Sequence, residues 1–116
     1  MAGSFFHLWL AEQALPMVFA DGEPTDQMRA AFAAGAVGPD IGFFPGGPFA
    51  FSHRVHLEHC ADFLRGLSDG AKSDVERAFV AGWGLHVYTD MAIHPWVEGE
   101  VVTLLERMRA SVLIYQ

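Results

Sequence analysis

An aspartate sits where a helix should be apolar, and that placement restricts what this chain can fold into. Ser73-Asp74-Val75-Glu76 has the S-x-x-E spacing of a capping box, so a helix starts there. Pro95 is predicted to end it near His94, because the residue before a proline avoids helical geometry. At about 100° per residue, Val75, Phe79, Gly82, His86, Asp90 and Ile93 fall within an arc of roughly 80°. The face that should pack on the core therefore carries a histidine and an aspartate in its second half. Gly82, one turn before His86, leaves room for a close neighbour.

A buried carboxylate is costly unless it is paired, hydrogen-bonded or bound to metal. On the helix, Asp90 has His86 one turn before it and His94 one turn after, and residues four apart lie side by side. His86 and Asp90 can hold one divalent ion. Asp90 and His94 can hold a second, with Asp90 bridging. The alternative is an Asp–His hydrogen-bonded pair inside a helical core. Mixed His and carboxylate sets suit zinc, and also iron or manganese.

The rest of the chain reads as helices. Residues 4–19 form one, with Ser4 as the candidate cap and Pro16 bending or shortening its end. Thr25 caps a second that runs to about Ala34, where Gly35 and Gly38-Pro39 stop it. Residues 38–50, GPDIGFFPGGPFA, are too rich in Gly and Pro for a regular element, and a loop of this length is often functional. Phe43, Phe44 and Phe49 in it are candidates to line a pocket or cover a site. Ser52 to Leu67 reads as one helix carrying His53, His56 and His59, of which His56 is the inward choice. A last helix is predicted from about Trp96 to Val112. No strand alternation appears, so the expected fold class is all-α, a single compact domain of about five helices spanning 1–116.

Composition narrows the partners. The formal net charge is −7, with only seven Lys and Arg, which disfavours a nucleic-acid partner. The single cysteine, Cys60, cannot form an internal disulfide. The apolar N-terminus lacks a basic leader region and is interrupted by His7, Glu12 and Gln13, so it does not read as a signal peptide. A soluble cytoplasmic protein is the expectation. Trp9, Trp83 and Trp96 are read as core fillers.

Taken together, Gly3 to His7 (G-x-x-x-H), the Gly38-Pro39-Asp40 loop, His56 seven residues before Phe63, and Gly82 to Pro95 (G-x-x-x-H-x-x-x-D-x-x-x-H-P) resemble the zinc-dependent phospholipase C family, related in fold to single-strand-specific zinc nucleases. The resemblance covers nearly the whole chain in order. It implies that Asp40, His56, His86 and Asp90 hold one zinc. His7 and the bridging Asp90 would contribute to a second, and His94 to a third. It implies hydrolysis of a small-molecule or lipid phosphodiester, with Asp40 as general base and transient contact with a membrane surface. The apolar end, Ser111 to Gln116, suggests either the N-terminal part of a longer phospholipase C-like domain or burial against another subunit of a homo-oligomer. The rival expectations are a metal-binding helical module without catalysis and a metal-free interaction domain.

Overall fold

The computed structural model describes the backbone of residues 3–114 and the side chains of residues 3–92 and 106–108. It is all-α: α1 (Ser4–Val18), α2 (Asp26–Val37), a 3-10 turn (Gly38–Phe43), α3 (Phe49–Leu57), α4 (Cys60–Gly70) and α5 (Asp74–Ile114). No strand occurs among the described residues. None of their helices is long and apolar enough to cross a membrane.

Two of the predicted helix starts are as the sequence indicates. Thr25 Oγ1 accepts the Met28 amide at 3.1 Å. The capping box at α5 is reciprocal, with the Glu76 amide on Ser73 Oγ and the Ser73 amide on Glu76 Oε1, both at 3.1 Å. At α1 the expectation is wrong: Gly3 is the N-cap, Ser4 is the first helical residue, and no side chain caps.

The helix pair α2–α5 is the frame. Gly35 does not stop α2; it lies inside it, buried against α5. A Cβ at Gly35 would overlap the Phe79 carbonyl, and one at Gly82 would overlap the Phe32 carbonyl. Missing side chains at both positions let the two backbones touch, so Gly35 was selected for contact rather than for termination. Around this crossing Ala11, Phe32, Ala36 and Ala78 are buried, flanked by Leu15, Phe19, Met28 and Leu85. Trp83 is also buried, at 5% exposure, whereas Trp9 is half exposed and is not a core filler. Trp96 lies outside the described side chains.

Two other boundaries differ from expectation. The helix foreseen over 52–67 is broken at His59, whose φ of 51° is left-handed. The break is stabilised at the end of α3 by the Cys60 thiol, which donates toward the Val55 and His56 carbonyls at 3.0 and 3.3 Å. These are carbonyls that a helix end leaves without amide partners. Conversely, Pro95 does not end α5, a 41-residue helix. A proline costs one backbone bond and some crowding, and residues on both sides of it, such as Ala92 and Leu104-Leu105-Glu106, favour helix enough to continue through it. The Gly-Pro loop is also more regular than its composition suggests. Pro39 near the start of the 3-10 turn has its φ already set for that geometry.

Candidate metal centre

Five side chains from four elements meet at one point between α1, α2 and α5. α1 contributes His7, the 3-10 turn Asp40, α3 His56, and α5 His86 and Asp90. His7, Asp40 and His86 are nearly inaccessible, at 2, 3 and 1% exposure. His56 Nε2 lies 2.9 Å from Asp40 Oδ1 and 3.5 Å from Asp90 Oδ2. His86 Nε2 lies 3.1 Å from Asp90 Oδ2 and 3.5 Å from Asp40 Oδ1. His7 Nε2 lies 3.0 Å from Asp90 Oδ1, and its ring stacks on that of His86 with centroids 3.6 Å apart.

The outer nitrogens determine what the inner ones can do. His86 Nδ1 lies 2.6 Å from the Ala36 carbonyl, and His56 Nδ1 lies 2.7 Å from the Ser52 carbonyl. A carbonyl only accepts, so each Nδ1 carries the proton and each neutral ring turns an Nε2 lone pair inward. Those two Nε2 atoms are 3.3 Å apart. Lone pairs of two imidazoles and the oxygens of two carboxylates therefore converge. Such a set needs positive charge at its centre.

Titration behaviour points the same way. Hydrogen bonds to Asp40 and then Asp90 raise the His56 pKa to about 10. Burial alone would lower that of His86, but bonds to Asp40, Asp90 and the Ala36 carbonyl outweigh it and raise it to about 9. Burial likewise opposes ionisation of both aspartates. Bonds from His56 and His86 nonetheless hold Asp40 at about 2. Bonds from His56, His7 and His86 take Asp90 well below the usual carboxylate range. Two protons or one divalent cation would satisfy this charge demand, and two N–H groups facing each other 3.3 Å apart would repel. The ligand atoms fall into two sets that share His86, namely His7, His86 and Asp90, and Asp40, His56 and His86; within each they lie within 4.8 Å of one another. Nitrogen and carboxylate oxygen donors at this spacing, with backbone carbonyls orienting the rings, fit zinc.

The family model for zinc dependent phospholipase C matches residues 6–111. The chain belongs to that family. No match was found among curated proteins or among solved structures. The match spans all five converging residues. Of the residues expected to hold metal, His7, Asp40, His56, His86 and Asp90 lie together. His94, the sixth, lies outside the described side chains.

Among other expectations, His53 and His59 are exposed, as the spacing of the three histidines indicated. The aromatics of the loop divide. Phe43 packs on the His56 ring at 5.2 Å and on Phe49 at 5.6 Å, whereas Phe44 is 48% exposed. Beside the metal centre opens a mostly apolar cleft of about 600 Å³, walled by Val55, Leu64, Val87 and Met91, with His56, His86 and Asp90 on its lining. These walls come mostly from α3, α4 and α5, with Pro39 as the Gly-Pro loop's one contribution and none from its phenylalanines. The sequence holds no signal for the walls, because they are ordinary apolar residues brought together by the packing of α3, α4 and α5.

Proposed function

We propose that this chain is a zinc-dependent phospholipase C-like phosphodiesterase domain in which His7, Asp40, His56, His86 and Asp90 hold the metal. The observation that carries the reading is the convergence of inward Nε2 lone pairs and carboxylate oxygens, with both outer Nδ1 atoms engaged by carbonyls. Zinc in this family's site supplies Lewis acidity toward a phosphoryl oxygen and acidifies water.

The chain's own residues have separable tasks. Ala36 and Ser52 carbonyls keep His86 and His56 in the tautomer that binds cations. Asp90 turns Oδ1 toward His7 and Oδ2 toward His56 and His86, and would hold the metal beside all three rings. Asp40 is ionised at neutral pH and is the proton acceptor in this reading, although a pKa near 2 makes it a weak base compared with a group near 7. The adjoining cleft receives the apolar part of the substrate and keeps water from it, placing the phosphodiester against the ligand cluster. A lipid or other amphiphilic phosphodiester is the substrate class, and the excess of acidic groups counts against nucleic acid. Membrane-surface contact and self-association remain part of the same proposal.

Protein purified without added metal is expected to carry at least about one equivalent of zinc or a similar ion, since a site with this many N and O donors fills readily. Elemental analysis checks this, and a value well below one equivalent overturns the metal reading. Zinc-loaded protein is then expected to hydrolyse a chromogenic phosphodiester, and Asp90→Asn to abolish that activity. Bound zinc without hydrolysis would leave a metal-binding module and remove the enzyme assignment.

A further inference from the structure

Ser52 lies on neither ligand set, yet among the described residues it is the most enclosed polar one, with 0% exposure. Its two oxygens face two different parts of the metal centre. The hydroxyl accepts the Gly42 amide at 2.6 Å, two residues beyond Asp40 in the 3-10 turn. The carbonyl accepts His56 Nδ1 at 2.7 Å, one turn on in α3. The turn is tight at this spot: a Cβ on Gly42 would overlap the Pro48 carbonyl and press on Ser52 Oγ. Asp40 and His56 themselves meet at 2.9 Å, so the chain from Asp40 through Gly42, Ser52 and His56 closes on itself.

We propose that Ser52 is a positioning residue that locks the Asp40 turn to the His56 helix and so sets the ligand set formed by Asp40, His56 and His86. The inference rests on the zinc reading above and adds a residue to it. Three features support it. The donor at Gly42 is a buried amide, which is costly to leave without an acceptor. In a loop with Gly46 and Gly47 following, no regular ladder holds the turn in register, so a single side-chain bond carries more of that task. Finally, Phe43 lies between Gly42 and the His56 ring on the same turn, so a displaced turn would also move the group packed on that ligand.

The test uses zinc competition against a chromogenic chelator and the visible spectrum of the cobalt-substituted protein, on the parent chain, Ser52→Ala and Ala78→Gly. Ala78 is buried at the far end of α5 and serves as a control for general loss of stability. Ser52→Ala is expected to weaken zinc binding by roughly 10–100-fold, the range for loss of an outer-sphere partner, and to change the cobalt bands. Ala78→Gly is expected to lower the thermal midpoint with both readouts close to the parent. Zinc affinity of Ser52→Ala within about threefold of the parent, or an equal loss in Ala78→Gly, overturns the proposal. Hydrogen exchange at the Gly42 amide of the parent chain gives a second arm that needs no variant: zinc loading should slow it at least about tenfold, and an unchanged rate overturns the coupling. A parent chain that binds no zinc removes the zinc reading, and this proposal with it.

Discussion

Asp90 makes the case for how much one side chain can demand. Partly buried on the helix face that packs inward, it meets three imidazoles, two of which reach it from α1 and α3. His7 and His56 approach opposite oxygens of the carboxylate, so their removal should have different consequences. His7→Ala is expected to abolish binding at the His7–His86–Asp90 set and leave an ion on Asp40, His56 and His86. His56→Ala is expected to do the reverse. Native mass spectrometry of zinc-titrated protein checks this through the number of ions retained, and loss of all zinc in both variants would contradict two separable sets. Helical spacing marked His86 and Asp90 as candidate ligands, and the family resemblance added His7, Asp40 and His56 to them. Their outer partners were not legible, because backbone carbonyls of Ala36 and Ser52 leave no mark on residue identity.

At the scale of elements, glycine has opposite meanings in two helices. A helical glycine ordinarily costs about 1 kcal/mol relative to alanine. Gly66 in α4 has open space where a Cβ would go, so Gly66→Ala should stabilise by about 0.5–1 kcal/mol. Gly82 in α5 faces the Phe32 carbonyl, so Gly82→Ala should force α2 and α5 apart and destabilise by about 1–3 kcal/mol despite the better propensity. Denaturant midpoints of the two variants should therefore move in opposite directions. Gly82→Ala should also weaken zinc binding, since His86 reaches the Ala36 carbonyl across the same helix pair. The sequence marked Gly82 as a place of close approach but read Gly35 as a stop. Both roles use glycine, and only the neighbouring helix distinguishes them.

For the whole molecule a metal held at the candidate centre would act as a joint. Its ligands come from α1, the 3-10 turn, α3 and α5, so filling it fastens elements that otherwise bury little; α1 has only His7 and Ala11 buried among its residues. Zinc at a hundred times its Kd would add about 2.7 kcal/mol by mass action. The pH dependence should differ with and without it. In chelated protein, His56 and His86 have folded pKa values of about 10 and about 9, above the ordinary 6.5. Their contribution is complete below pH 6.5 and is lost as pH rises toward 9–10. Asp40, lowered from 3.8 to about 2, contributes above pH 3.8 and loses that contribution as pH falls through about 2. Zinc competes with protons for the same Nε2 atoms, so its affinity should rise with pH. Thermal midpoints measured from pH 5 to 9 with and without chelator should therefore diverge as pH rises. Converging curves would argue against imidazole ligands.

Helix type, the caps at Thr25 and Ser73, the family and its candidate ligands were determined by sequence alone, because each rests on chemistry local to a few residues or on their order. Which glycines are contacts and which apolar side chains wall the cleft were decided only by tertiary structure. Those outcomes depend on energies between residues distant in the chain. A carbonyl of α2 against Gly82, or a cleft lined by both Leu64 and Val87, exists only after the helices have packed.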